Sequence, residues 1–154
     1  GFRLLSSDMI RKELAGIAPV ERGGGAYGEG IYSKEFTEKT YTTLIERAGN
    51  LLGAGRSVIC DATFSKGGYL RMAKEAAKGA GASLHILECA ADDETVKKHL
   101  LKRLEDPGAV SDAGLEVYER QKASYEPVEG PCLKIDAAIP LHEVLLKIID
   151  LIFG

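Results

Sequence analysis

The 154-residue sequence has no Gly-Lys-Ser or Gly-Lys-Thr, only three cysteines, and no apolar run near the ~20 residues that a membrane-spanning helix needs. Each absence excludes something. Without a long apolar run there is no helical membrane span, and the start, Gly1-Phe2-Arg3, lacks signal-peptide character, so a cytoplasmic protein is expected. The start also lacks an initiator methionine, which reads as a chain cut on its N-terminal side. Cys60, Cys89 and Cys132 lie far apart in apolar, strand-like runs, an arrangement that argues against a disulfide framework or zinc site and for buried, reduced thiols. A net charge of −3 with both signs interspersed provides no broad basic field, which disfavours bulk nucleic acid and anionic membranes as partners. Repeats, low-complexity tracts and linkers are missing too. With 45% hydrophobic residues the chain can bury a core, and one domain over residues 1–154 is expected.

Apolar, β-branched runs alternate with helical stretches, the pattern that builds a parallel sheet flanked by helices. Strands are expected at Phe2–Ser6, Ser57–Thr63, Leu84–Cys89 and Cys132–Asp136. A helix from about Asp8 to Leu14 can be capped by Ser7 or Asp8 and ended by Gly16 and Pro19. Ser33, three residues before Phe36, opens a helix to Leu52 whose Tyr41, Leu44, Ile45, Ala48 and Leu51 form one apolar stripe facing the sheet. That helix stops at Gly53-Ala54-Gly55, and the next runs through Tyr69 to Lys78. Asp92 or Asp93 can cap a helix ending at Lys102-Arg103-Leu104, and Ser111 or Asp112 can open another reaching about Tyr125. Pro140 opens a last amphipathic helix with Leu141, Val144, Leu145, Ile148, Ile149 and Ile152 on one face.

In open α/β sheets ligands bind outside the carboxyl ends of the strands. Two such ends here carry chemistry. In Ser6-Ser7-Asp8-Met9-Ile10-Arg11 a carboxylate and a guanidinium share one face of an opening helical turn. They can take a proton from a hydroxyl and hold a phosphate or carboxylate beside it, or Asp8 is simply an N-cap or first-turn acid paired with Arg11. The run Val58-Ile59-Cys60-Asp61-Ala62-Thr63 delivers an acid and a hydroxyl at its tip, suited to a magnesium-bound water beside a triphosphate, with a capping aspartate as the alternative. A third feature is a basic helix pair, Lys97, Lys98, Lys102 and Arg103, then Arg120 and Lys122. It reads either as a flap that closes over a phosphoryl group or as a solvated face. Two glycine clusters are discounted: Gly23–Gly28 has dinucleotide-loop spacing but no preceding strand, and Gly53-Ala54-Gly55 follows a helix, the reverse of the order a phosphate loop needs.

Four segments occur jointly and in order: Leu5–Leu14, Gly28–Ser33, Gly55–Phe64 and Glu119-Arg120-Gln121. Over nearly its whole length the chain thereby resembles a bacterial kinase family, the AAA-domain P-loop kinases often fused behind an aminoglycoside-phosphotransferase-like domain. It is more distantly similar to polynucleotide kinase, gluconate kinase and chloramphenicol phosphotransferase. The resemblance implies a three-layer αβα P-loop NTPase-like fold, ATP and Mg2+ as cofactors, and phosphoryl transfer to a hydroxyl of a small molecule or nucleotide. It also implies a fused phosphotransferase-like domain as a partner. By the same resemblance Asp8 is the base toward the acceptor hydroxyl, Arg11 contacts acceptor or phosphate, and Asp61, with Thr63 beside it, is the magnesium-linked acid. Arg103 and Arg120 fall in the lid region.

The departure from that family is the missing strand and phosphate loop, whose lysine would bridge the β and γ phosphates. The sheet order that the resemblance implies puts that strand in the centre, between the strand ending at Asp61 and the one ending near Cys89. A gap there would leave two rows of backbone groups unpaired, at ~1–3 kcal/mol for each group that is truly buried. The intact protein is therefore expected to be the active species, and residues 1–154 alone an inactive body. The contrasting expectation is a degenerate, non-catalytic module that binds a ligand or a partner domain.

Overall fold

The computed structural model describes residues 1–19, 28, 30–104 and 115–153. β1 (Arg3–Ser6) passes without a loop into α1 (Ser7–Ala15). The residue preceding that helix is Ser6, and it makes no side-chain cap bond, so neither Ser7 nor Asp8 caps the helix; Asp8 lies inside its first turn. Gly16 ends it at φ +69°, where the Gly16 and Ile17 amides donate to the carbonyls of Glu13 and Lys12 and a Cβ would be strained. A 3-10 turn at Gly30–Tyr32 leads to α2 (Lys34–Gly53), whose cap Ser33 accepts from the Phe36 amide at 3.2 Å, as its spacing predicts. Gly55 stops this helix at φ +72°, confirming Gly53-Ala54-Gly55 as a terminator. Then come β2 (Val58–Asp61), α3 (Gly67–Gly79), β3 (Leu87–Ala90) and α4 (Asp93–Leu104). Asp92 caps α4 by accepting from the Thr95 amide. The chain closes with α5 (Leu115–Ser124), β4 (Leu133–Asp136) and α6 (Leu141–Phe153). The expected start of α5 at Ser111 or Asp112, and the cluster from Gly23 to Tyr27, lie outside the described residues.

Among the described residues the strands form two separate two-stranded parallel sheets, β1 with β2 and β3 with β4. Arg3 registers with Val58 and Ser6 with Asp61; Leu87 registers with Leu133 and Ala90 with Asp136. β2 and β3 do not pair with each other, so the interruption expected between them is present and the flanking strands have not closed up. The third strand is shorter than its apolar run suggests. Residues 84–86 stay outside it because β4 offers its ladder only from Leu133 onward.

The two halves differ in how well they are covered. Ile10, Tyr41 and Leu44 form a buried cluster, with Leu5, Leu14, Cys60, Ala62, Phe64 and Tyr69 packed against it. The expected stripe of α2 is therefore a core face, as Ile45 and Ala48 are buried as well. By contrast α6 fully buries no residue: of its apolar stripe Val144, Ile148 and Ile152 are half-buried and Leu141, Leu145 and Ile149 exposed, as are Leu146 and Phe153, so the stripe forms but is only partly covered. The thiols also depart from expectation. Cys89 is exposed and Cys60 and Cys132 only half-buried, because strands at open sheet edges are covered on fewer sides. Among the described residues no helix is long and apolar enough to cross a membrane.

In the second half, where Leu100 and Ile135 are buried, polar contacts gather on Glu88 of β3. The Tyr125 hydroxyl donates to Glu88 Oε1 at 2.5 Å, while Cys132 Sγ and Lys134 Nζ approach Glu88 Oε2 at 3.7 and 3.8 Å. Burial, then the bond to this carboxylate, pushes the Tyr125 phenol from 10.0 up to about 12. A folded-state value raised above the unfolded one contributes stability that is complete below pH 10 and is lost as pH climbs toward 12. In an alkaline titration of tyrosinate absorbance, Tyr125→Phe is expected to remove a late-ionising phenol and to flatten the loss of stability across that window. An unchanged titration curve would show that Tyr125 is not so held.

Candidate active site at the carboxyl ends of β1 and β2

The register that pairs Ser6 with Asp61 brings the carboxyl ends of β1 and β2 side by side. Because α1 begins at the residue after Ser6, Asp8 is fixed within a turn of that edge, half-buried, at the positive end of the helix dipole. Asp61 ends β2 and is exposed, and Thr63 follows two residues later. Asp8, Asp61 and Thr63 thus come together at one end of the first sheet. Among the described residues no three of His, Cys, Asp or Glu are grouped closely enough to hold a metal by themselves.

Arg11, one turn beyond Asp8, is buried at 8% exposure. Its Nη1 donates to the Ile31 carbonyl at 2.6 Å and to Thr37 Oγ1 at 3.2 Å, and its guanidinium carbon sits 5.1 Å from the centre of the Tyr32 ring. Its hydrogen bonds therefore tie α1 to the 3-10 turn and to the start of α2. Among the described residues its Nε is buried with no hydrogen-bond partner, an unmet donor in a charged group. Beside it Lys12 is also buried and donates to the Pro19 carbonyl at 3.0 Å.

Sequence reasoning missed the aromatic part of the site. The Tyr41 hydroxyl accepts the Phe64 amide at 2.9 Å and shares a hydrogen bond with Thr63 Oγ1 at 3.2 Å. The Tyr41 ring stacks on Tyr69 at 3.8 Å with an interplanar angle of 2° and meets Phe64 edge-on at 5.4 Å. Burial raises the Tyr41 phenol, and the two hydrogen bonds and the Arg11 charge partly oppose that shift while the Asp8 charge adds to it. The one available signal was a tyrosine inside an apolar stripe, since a buried phenol needs a polar partner.

The basic helix pair behaves differently. Lys122 Nζ lies 2.6 Å from Asp93 Oδ1, where Tyr118 also donates at 2.8 Å, and Lys97 lies 3.9 Å from Glu119. Lys98 pairs with Glu94 within α4. The bond from Lys122, then that from Tyr118, holds the Asp93 carboxyl below its ordinary value. Lys97 and Lys122 thus bridge α4 to α5 while Lys98 pairs within α4, and all three side chains stay exposed to solvent. Arg120 is exposed on α5, whereas the side chain of Arg103 lies outside the described residues. The far end of α5 reaches the site's edge: Lys66 donates to the Ser124 carbonyl, Glu126 accepts from the Gly67 amide, and the Glu126 amide donates to the Ser65 carbonyl. The end of α5 is thereby joined to the connection that follows Thr63.

Parallel strand pairs with flanking helices are consistent with a P-loop kinase-like domain, the class to which the comparisons assign it. An AAA domain model matches residues 1–128, and the chain belongs to that family. Uncharacterized proteins of Mycobacterium tuberculosis and Mycobacterium bovis are 26% identical over 117 residues, which is 76% of this chain and 23% of theirs. The chain therefore spans about a quarter of the length of these curated relatives. Among solved structures, a candidate kinase from Chloroflexus aurantiacus superposes with a TM-score of 0.68 at 18% identity, covering 97% of this chain and 83% of that one. A tunicamycin resistance protein from Deinococcus radiodurans gives 0.56 at 15% identity, covering 99% and 82%. At these identities the likeness is one of fold, the three-layer P-loop NTPase-like arrangement.

Proposed function

We propose that the protein containing this domain is an ATP- and magnesium-dependent kinase that phosphorylates a hydroxyl of a small molecule or nucleotide, with residues 1–154 acting as one domain. The observation that carries this reading is the Ser6–Asp61 register, which seats Asp8 and Asp61 on one sheet edge. Magnesium is usually bound by one or two carboxylates with the remaining positions filled by phosphate oxygens and water, so a site with a single strand-end acid and a neighbouring hydroxyl suits it. Asp61 and Thr63 are the residues that would hold it, and Mg-ATP would supply the phosphoryl group and neutralise its charge. Asp8 takes the proton from the acceptor hydroxyl. Arg11 has an Nε donor unmet among the described residues, available to an acceptor or phosphate oxygen, and Arg120, with Arg103, serves from the lid.

The test is γ-phosphate release or transfer by the full-length protein with Mg-ATP across a panel of alcohols, sugars and nucleosides. No turnover with any acceptor, together with Mg-ATP binding by calorimetry, would favour a non-catalytic ligand-binding module. Micromolar Mg-ATP binding by residues 1–154 alone would contradict the need for a phosphate loop, because no Gly-Lys-Ser or Gly-Lys-Thr occurs in them.

A further inference from the structure

α2 carries two polar groups one helical turn apart on the face toward the site, and each reaches a different strand end. Thr37 accepts from Arg11, which belongs to the helix that follows β1. Tyr41 reaches across 22 residues to Thr63, and also to Phe64 beside it, both of which follow β2. Phe64 needs such a hold. Its φ of +42° lies in the left-handed region, and it is the single non-glycine residue there among those described. An L residue keeps that conformation only where its surroundings over-determine it. Here they comprise a hydrogen bond from the Phe64 amide to the Tyr41 hydroxyl, an edge-on ring contact and the rigid stack of Tyr41 on Tyr69. Tyr41 itself is 3% exposed and packed in the core cluster, so its hydroxyl cannot swing away.

We infer that Tyr41 is a positioning residue: its hydroxyl fixes the turn after β2 in the left-handed form, which sets where Asp61 and Thr63 point relative to Asp8. This inference deepens the proposed kinase function and rests on it. The ring packs the core while the hydroxyl orders the site, so the two contributions are separable by Tyr41→Phe, which keeps the ring. Thr63 also depends on Tyr41 for its orientation, because its Oγ1 has the phenol as a neighbour.

The experiment is Tyr41→Phe in the full-length protein, with amide hydrogen exchange resolved at Phe64 and along α2, and with kcat and KM measured for any acceptor the wild type uses. A net hydrogen bond of this kind corresponds to about a tenfold change in an equilibrium, so Phe64 exchange should quicken by about tenfold while α2 amides keep their wild-type rates. In an active enzyme kcat should fall by about tenfold or more with acceptor KM nearly unchanged. Unaltered exchange at Phe64 would overturn the inference, as would equal quickening along α2, which would mark a packing residue only. Unaltered kcat in an active enzyme would overturn it too. A wild type that transfers no phosphate to any acceptor sinks the kinase reading instead, and the Phe64 exchange then decides on its own whether the hydroxyl holds the turn.

Discussion

Replacing Asp8 by alanine in the full-length protein is expected to lower kinase turnover by roughly 10²- to 10⁴-fold, the usual contribution of a positioned general base. The argument starts from the join between β1 and α1. With no loop between Ser6 and Ser7, the first helical turn cannot drift from the sheet edge, and Asp8 keeps a fixed place relative to Asp61. The amino end of a helix is a favourable seat for a carboxylate, so the fold tolerates an acid at the position where the acceptor hydroxyl would lose its proton. Asp8→Asn sharpens the test, because it preserves size and hydrogen bonding but removes basicity. Both variants should lose turnover while Mg-ATP affinity holds, since Asp61 and Thr63 belong to the other strand end. Each should stay folded, as losing a first-turn acid costs about 0.3–1 kcal/mol. Turnover within a few-fold of wild type in either variant would end the case for Asp8 as the base.

The local features of this fold were written in short stretches of sequence. Ser33 with Phe36, Gly16, Gly55 and the stripe from Tyr41 to Ala48 each declare themselves within a few residues, because caps, left-handed stops and helical periodicity are short-range physics. The sheet-edge position of Asp8 and Asp61 was legible for a related reason, since each directly follows or ends an apolar run. What could not be read depends on partners distant in the chain. Periodicity gives α6 an apolar face but not a full cover for it, and Leu141, Leu146 and Phe153 remain exposed. Strand character at Cys89 implied burial, yet a strand paired on one edge only leaves that thiol exposed. The basic run on α4 and α5 reads as a phosphate-facing set only while Asp93 and Glu119, which stand opposite its lysines, are left out. Tyr41 was legible as core and illegible as a clamp, because its polar partners stand 22 and 23 residues away.

The same asymmetry between halves sets where the molecule is most sensitive to truncation. Leu44 is 0% exposed and, with Ile10 and Tyr41, centres the cluster that supports the site. Leu44→Ala should cost about 2–5 kcal/mol, because removing the branched end takes away transfer energy and leaves a cavity that neighbours fill only in part. Collapse into that cavity is opposed by the Tyr41–Tyr69 stack, a rigid pair already fixed by its hydrogen bonds. The loss should therefore appear locally, with amide exchange along α1 and α2 of the full-length protein rising by roughly 30- to 4,000-fold. Leu145→Ala provides the contrast, since Leu145 is 48% exposed on a helix that fully buries no residue. An exposed truncation of that kind should shift exchange by no more than about twofold, in keeping with surface changes near ±0.5 kcal/mol. Comparable effects at the two positions would mean that α6 is covered in the intact protein and that the support of the site is shared between the halves.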